Sequence, residues 1–237
     1  MAFTLPNDTQ RCTIIGKTGS GKTQAGIWQL SERSYTSMPW VILDFKRDVL
    51  ISQIPFTTPI ALGFVPREPG LYIAHPNPGD EEKLEAYIWD IWAAENIGLF
   101  VDEGYMLGHS RALQAVLTQG RSKRIPAILL TQRPSWITRF AFSEADYIQV
   151  FRLTDERDRK TVRSFVPYDS DKPLPEYYSI WYDVARDKID LLRPVPREGR
   201  ILDTFRARLG PRAEPRPEPE AVNLGPPHPT QKRFVLI

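Results

Sequence analysis

Gly16-Lys17-Thr18-Gly19-Ser20-Gly21-Lys22-Thr23 fits the spacing G-x-x-x-x-G-K-[S/T]. That spacing carries chemistry where a strand turns tightly into a helix. The flanks supply both parts: Cys12 to Ile15 is a short apolar run, and Lys22 to Arg33 is amphipathic. The glycines free the backbone N–H groups to wrap a phosphate, and the helix N-terminus adds its dipole. Lys22 then reaches the outer phosphates, and the Thr23 hydroxyl is placed to hold Mg²⁺. The expected phosphate cradle is thus Gly16, Lys17, Thr18, Gly19, Ser20, Gly21, Lys22 and Thr23, with ATP and Mg²⁺ as its occupants.

About eighty positions after Lys22, the apolar run Ile97-Gly98-Leu99-Phe100-Val101 ends in Asp102-Glu103. A buried strand that delivers two adjacent carboxylates at its tip suits the other half of such a site. Asp102 can hold the water shell of Mg²⁺, and Glu103 can act as the general base on an attacking water. The pair points to hydrolysis and not to binding alone. A third run, Ala127 to Thr131, ends in Gln132-Arg133-Pro134. In phosphate-loop ATPases with a catalytic glutamate, this strand inserts between the other two, and Gln132 then orients the water or senses the γ-phosphate.

The remaining pattern gives the fold class. Short β-rich runs (Val41 to Asp44 and Tyr147 to Phe151 among them) alternate with helical stretches at Glu81 to Ala94 and Arg111 to Arg121. That alternation makes a mainly parallel sheet flanked by helices. Leu71 to Ala74 reads as one more strand, and Tyr178 to Tyr182 with Lys188 to Leu192 as a closing β-hairpin. Composition shifts near Arg193: the 45 residues from there hold nine of the 22 prolines and a charge of +4, against −2 for residues 1–192. The expectation is a motor domain over 1–192 and an extended, Pro/Arg-rich tail over 193–237, whose apolar end Arg233-Phe234-Val235-Leu236-Ile237 resembles a docking peptide.

Composition also excludes. A lone cysteine, Cys12, makes no internal disulfide, and with three scattered histidines it offers no zinc spacing. No run approaches the roughly 18 apolar residues of a membrane span, and the N-terminus lacks a signal-peptide pattern. A cytosolic protein is expected. The net charge of +2 is too small to argue for nucleic acid by itself.

Taken together, GKTGSGKT at 16–23, Asp44-Phe45-Lys46 at a strand end, LFVDE at 99–103 and GRSKRIPAILLTQRPS at 120–135 resemble the FtsK/HerA superfamily of ring-forming, DNA-translocating ATPases. Phe151 to Arg159 looks like the segment after the fifth strand in the same group. Only about ten residues precede the first strand, so the chain resembles a bare motor domain, as in the genome-packaging ATPases of tectivirus-like, internal-membrane viruses. The resemblance implies a P-loop NTPase of the additional-strand type and a homo-oligomeric ring, hexameric by expectation. It further implies double-stranded DNA as the substrate moved, capsid or membrane proteins at a packaging vertex as partners, and a place in the host cytoplasm and on the virion. It also implies an arginine acting across the subunit interface, for which Arg121 is the match and Arg159 and Lys160 are rivals. Lys123, Arg124, Trp136 and Arg139 are the candidate DNA contacts. A secretion, conjugation or filamentous-phage assembly ATPase is the main alternative, followed by a small-molecule kinase and a nucleotide-gated scaffold without turnover.

Overall fold

Strand β1 (Arg11–Ile15), just ahead of the phosphate loop, is buried at every position. A strand buried on both faces belongs in the middle of a sheet that is covered on both sides. The computed structural model, which describes residues 4–169 and 171–210, places it so. The chain continues through α1 (Lys22–Ser31), β2 (Pro39–Leu43), α2 (Val49–Ser52), β3 (Thr57–Pro59), β4 (Gly70–Ala74), α3 (Glu81–Ala94) and β5 (Gly98–Val101). It then forms α4 (Arg111–Gln119), β6 (Ala127–Thr131), α5 (Phe140–Ser143), β7 (Tyr147–Val150) and α6 (Glu156–Arg163). The hairpin of β8 (Ser179–Asp183) and β9 (Lys188–Leu192) follows, and then α7 (Glu198–Leu209).

One nine-stranded sheet has the order β3-β4-β2-β5-β6-β1-β7-β8-β9. Strands β1 to β7 are parallel; β8 pairs antiparallel with β7, and β9 antiparallel with β8. β6 is inserted between β1 and β5, with Cys12 opposite Ile128 and Leu99 opposite Ala127. Parallel strands start at one end of the sheet and finish at the other. The tips of β1, β6 and β5 therefore sit side by side, and they carry the phosphate loop, Gln132 and Asp102-Glu103.

Alternation along the strands divides the core. Val41, Leu43, Leu99, Val101 and Leu129 join the cluster that holds Leu84, Tyr87, Ile88 and Ile91 of α3 and Leu113 and Val116 of α4. Trp40, Ile42, Phe100, Ile128 and Leu130 join the one that holds Ile27 and Leu30 of α1. Each such side chain contributes roughly 1.5–3 kcal/mol on full burial. Local signals set the helix starts: the Ser110 hydroxyl accepts from the Leu113 N–H at 2.9 Å, and Glu81 and Glu82 in the first turn of α3 face its dipole.

Residues 198–209 depart from the expected tail. They form α7, whose Ile201, Leu202 and Phe205 are buried in the same cluster as α1. Phe205 lies 5.4 Å from the Tyr35 ring, the Arg208 guanidinium sits over Tyr35 and donates to the Ser31 carbonyl, and Gln24 Nε2 donates to the Pro196 carbonyl at 2.7 Å. The i, i+4 pair Ile201 and Phe205 gives the helix one apolar stripe, enough to dock it. Residues 211–237, including the apolar end, lie outside the described residues. Among the described residues no helix is long and apolar enough to cross a membrane.

Candidate active site

The phosphate loop is pinned on both sides by the sheet. Gly16 N–H donates to the Thr131 carbonyl of β6 at 3.2 Å, and Lys17 N–H donates to the Arg152 carbonyl after β7 at 3.4 Å. Gly19 and Gly21 have φ of 76° and 91°, the left-handed region that glycine enters without a steric penalty. Gly16 is fixed by space: a Cβ there would stand 2.4 Å from Ser20 Oγ and 2.8 Å from Phe151 Cβ. The Ser20 hydroxyl is buried and makes no hydrogen bond among the described residues, so a donor is left over inside the cradle.

Lys22 opens α1 and is buried, its Nζ 3.6 Å from Glu103 Oε1 and 3.9 Å from Asp102 Oδ1. Burial lowers its pKa, and Asp102 partly restores it. Asp102 and Glu103 are each about 1% exposed. Burial pushes the Asp102 carboxyl up to about 6, against the opposing pull of Lys22 and Lys46. Among the described residues, both Asp102 oxygens and Glu103 Oε2 accept no hydrogen bond. Orphaned buried carboxylate oxygens are costly unless a cation or a water completes them. The Asp102 carboxylate and the hydroxyl of Thr23, the residue after Lys22 in the first turn of α1, are oxygen donors of the kind that suit Mg²⁺, a hard ion that takes oxygen ligands and keeps several waters.

Glu103 sits at φ 59°, ψ 52°, a conformation that costs a side-chain-bearing residue about 1–3 kcal/mol. The turn folds its carboxylate back between two lysines: Lys22 and Lys46, whose ammonium bonds Glu103 Oε1. Lys46 belongs to the Asp44-Phe45-Lys46 turn after β2, the strand beside β5. Asp44 anchors that turn, fully buried, accepting from Asp48 N–H at 3.1 Å and facing His75 at 3.4 Å. Burial raises the Asp44 pKa, and it lowers that of Lys46 with help from nearby Lys22.

Gln132 meets the loop directly. Thr18 Oγ1 donates to its Oε1 at 2.6 Å, and its Nε2 reaches the Tyr105 hydroxyl at 3.5 Å. Lys22, Asp102, Glu103 and Gln132 thus converge from three neighbouring strand tips. Sequence reasoning assigned no role to Lys46 or Tyr105, although Asp44-Phe45-Lys46 at a strand end was visible.

No family model matches the chain. It is 45% identical over 217 residues to the DNA packaging ATPase P9 of Enterobacteria phage PRD1, covering 86% of this chain and 96% of that protein. The chain belongs to the family of that packaging ATPase. Among solved structures, the genome packaging NTPase B204 of Sulfolobus turreted icosahedral virus 2 with AMPPCP superposes with a TM-score of 0.65 at 18% identity, over 80% of this chain and all of that one. EccC ATPases 2 and 3 of Thermomonospora curvata, in complex with a signal sequence peptide, give 0.57 at 11% identity, over 86% of this chain and 43% of that one. At those identities the two share the fold.

In this packaging-ATPase family member the expected peripheral residues are scattered. Arg121, Lys123 and Arg124 lie in the turn before β6, at the end of the sheet opposite the phosphate loop. Lys123 is engaged there, 2.6 Å from Glu95 and over the Trp92 ring. Arg159 bonds Glu156 at 3.1 Å and lies 3.3 Å from Asp171. Trp136, 59% exposed, stands at the phosphate-loop end beside Tyr105, and Arg139 lies over Phe165. The four candidate DNA contacts form no single patch within one chain: Lys123 and Arg124 are separated from Trp136 by the length of the sheet.

Proposed function

We propose that this chain is an Mg²⁺-dependent ATPase that drives double-stranded DNA into a viral capsid. The observation that carries the reading is the pair of buried carboxylates, Asp102 and Glu103, facing the phosphate-loop lysine from the tip of β5. A site for binding alone has no use for a strained glutamate whose second oxygen is left without a partner. The 45% identity to a DNA packaging ATPase supports the same substrate class.

The roles follow from position. The loop amides of residues 16–23 and Lys22 hold the phosphates and spread the charge that develops on them. Thr23 and Asp102 would hold Mg²⁺, which supplies charge neutralisation at the β- and γ-phosphates when bound. Glu103 Oε2, which makes no hydrogen bond among the described residues, accepts the proton of the attacking water. Gln132 orients that water from the third tip and reports phosphate occupancy to the loop through Thr18. Lys46 bonds Glu103 Oε1 and holds the carboxylate in place.

Arg121 lies at the far end of the sheet, so in this reading it serves a neighbouring subunit of a ring, hexameric by analogy with the resemblance; Arg159, already ion-paired, ranks behind it. Lys123, Arg124, Trp136 and Arg139 remain candidate contacts to the DNA backbone, brought together only between subunits. The motor would work in the host cytoplasm and at a capsid vertex. The test is ATP turnover with and without duplex DNA of arbitrary sequence. Stimulation should appear at low salt and fall as salt rises, as counterion release requires. No stimulation by DNA, with stimulation by a purified virion or secretion protein instead, rejects DNA as the substrate moved.

A further inference from the structure

On the α3 side of the sheet a groove of about 620 Å³ opens between the first half of α3 and the turn Gly104–Leu107 that follows β5. Its floor is apolar: Leu84 and Leu107 are buried there, while Trp89 and Met106 stay 39% and 47% exposed. Its rim is acidic, with Glu81 and Glu82 exposed in the first turn of α3, and no lysine or arginine lines it. Glu85, the third carboxylate, is engaged in starting α4, where it accepts from the Ala112 N–H at 2.9 Å and the Ser110 hydroxyl at 2.5 Å. An exposed apolar patch rimmed by charge of one sign has the form of a binding surface.

Residues 232–237, outside the described residues, carry the complement. They read Lys232-Arg233-Phe234-Val235-Leu236-Ile237, two cations followed by four apolar side chains. From Glu81 to Trp89 the helix advances by about 12 Å, and four residues in an extended strand span about 13 Å. With Lys232 and Arg233 against Glu81 and Glu82, the apolar run therefore extends along the floor as far as Trp89.

Distance decides whose groove they fill. The described residues end at Gly210, past α7, which packs with α1 on the face of the sheet away from α3. Arg208 donates to the carbonyl of Ser31, the last residue of a helix that begins at the phosphate loop, so the chain departs from the end of the sheet opposite the strand tips. The groove lies on the other face and beside the tip of β5. Residues 211–231, seven of them proline, span about 65 Å if drawn out at about 3.1 Å per residue. A domain of about 200 residues is about 42 Å across, and half its circumference is also about 65 Å. The chain's own groove thus demands full stretch, whereas a copy stacked on the α7 face through its own α3 face brings its groove near. We propose that residues 232–237 dock in the α3 groove of a neighbouring copy of this chain. The contact joins two different surfaces, so repeated from copy to copy it closes into a ring or runs on as a filament.

Disulfide trapping on the full chain tests this, because Cys12, the one cysteine, is buried. Arg233→Cys in one preparation is mixed with Glu82→Cys in another under mild oxidation. Docking raises the local concentration of the two thiols, so a dimer of the two variants should form at least about tenfold faster than with Glu198→Cys, an exposed glutamate on α7, in place of Glu82→Cys. Trp89→Ala in the Glu82→Cys copy and, separately, Phe234→Ala in the Arg233→Cys copy should each slow the reaction about tenfold, and the second leaves the groove untouched. A rate no higher than the Glu198→Cys control, or one that neither Trp89→Ala nor Phe234→Ala lowers, overturns the contact. A chain carrying both Glu82→Cys and Arg233→Cys should link to other chains. An internal disulfide as its main product would place residues 232–237 in their own groove and overturn the exchange between copies.

Discussion

Replacing Glu103 by Gln separates the chemistry of the site from its stability. At an effective dielectric of about 20, the Lys22 to Glu103 contact at 3.6 Å corresponds to roughly 4–5 kcal/mol of attraction before desolvation. Burying the carboxylate, with Oε2 unpaired, offsets most of that. Lys22 keeps Asp102 at 3.9 Å, and Lys46, whose side chain is 43% exposed, can turn to water. The expected change in folding stability is therefore small, about 1 kcal/mol in either direction. Removing a negative charge beside two lysines also favours a polyphosphate, so ATP should bind at least as tightly as to wild type. Turnover should nevertheless fall about a hundredfold or more, the loss expected for a general base. Phosphate release, ATP titration and thermal melts on the same preparation measure the three quantities. Turnover within about threefold of wild type would remove Glu103 from the base role, and loss of ATP binding would mean that its carboxylate holds the loop together instead.

Two further predictions concern the fold. Phe205→Ala should destabilise the protein by about 3 kcal/mol, because α7 docks through this fully buried ring; a change below about 0.5 kcal/mol in denaturant melts would mean the helix contributes nothing. Cys12, fully buried, has its thiol pushed up to about 12, chiefly by burial. At about pH 8 only about one thiol in ten thousand is then thiolate, the nucleophilic form, so a disulfide reagent should label the native chain no faster than it unfolds. Labelling within the mixing time would contradict the buried β1.

The phosphate site and the sheet around it were legible because they follow from local rules. A Gly-rich loop between strand and helix, a strand ending in Asp102-Glu103 and a strand ending in Gln132 each carry their signal within a few residues. What was hidden depends on contacts across the sequence. Lys46 matters because β2 lies beside β5, which no spacing along the chain reveals. α7 was concealed by its surroundings: Pro194, Pro196 and Pro211 bracket it, and its stripe is a few apolar residues among five arginines between 193 and 208. The placing of Arg121, Lys123 and Arg124 was readable in principle, since residues just before a parallel strand lie opposite those just after its neighbours. Whether a partner subunit brings them to a phosphate is a property of an assembly and not of one chain.

Movement along DNA is the central claim, and displacement of a third strand measures it directly. Wild-type protein with ATP and magnesium should strip a triplex-forming oligonucleotide from linear duplex DNA, whatever the flanking sequence, and Glu103→Gln should bind the same DNA and leave the triplex intact. If wild type hydrolyses ATP and the triplex nevertheless remains in place at low salt, the chain is an ATPase that does not translocate on duplex DNA, and the motor reading is contradicted.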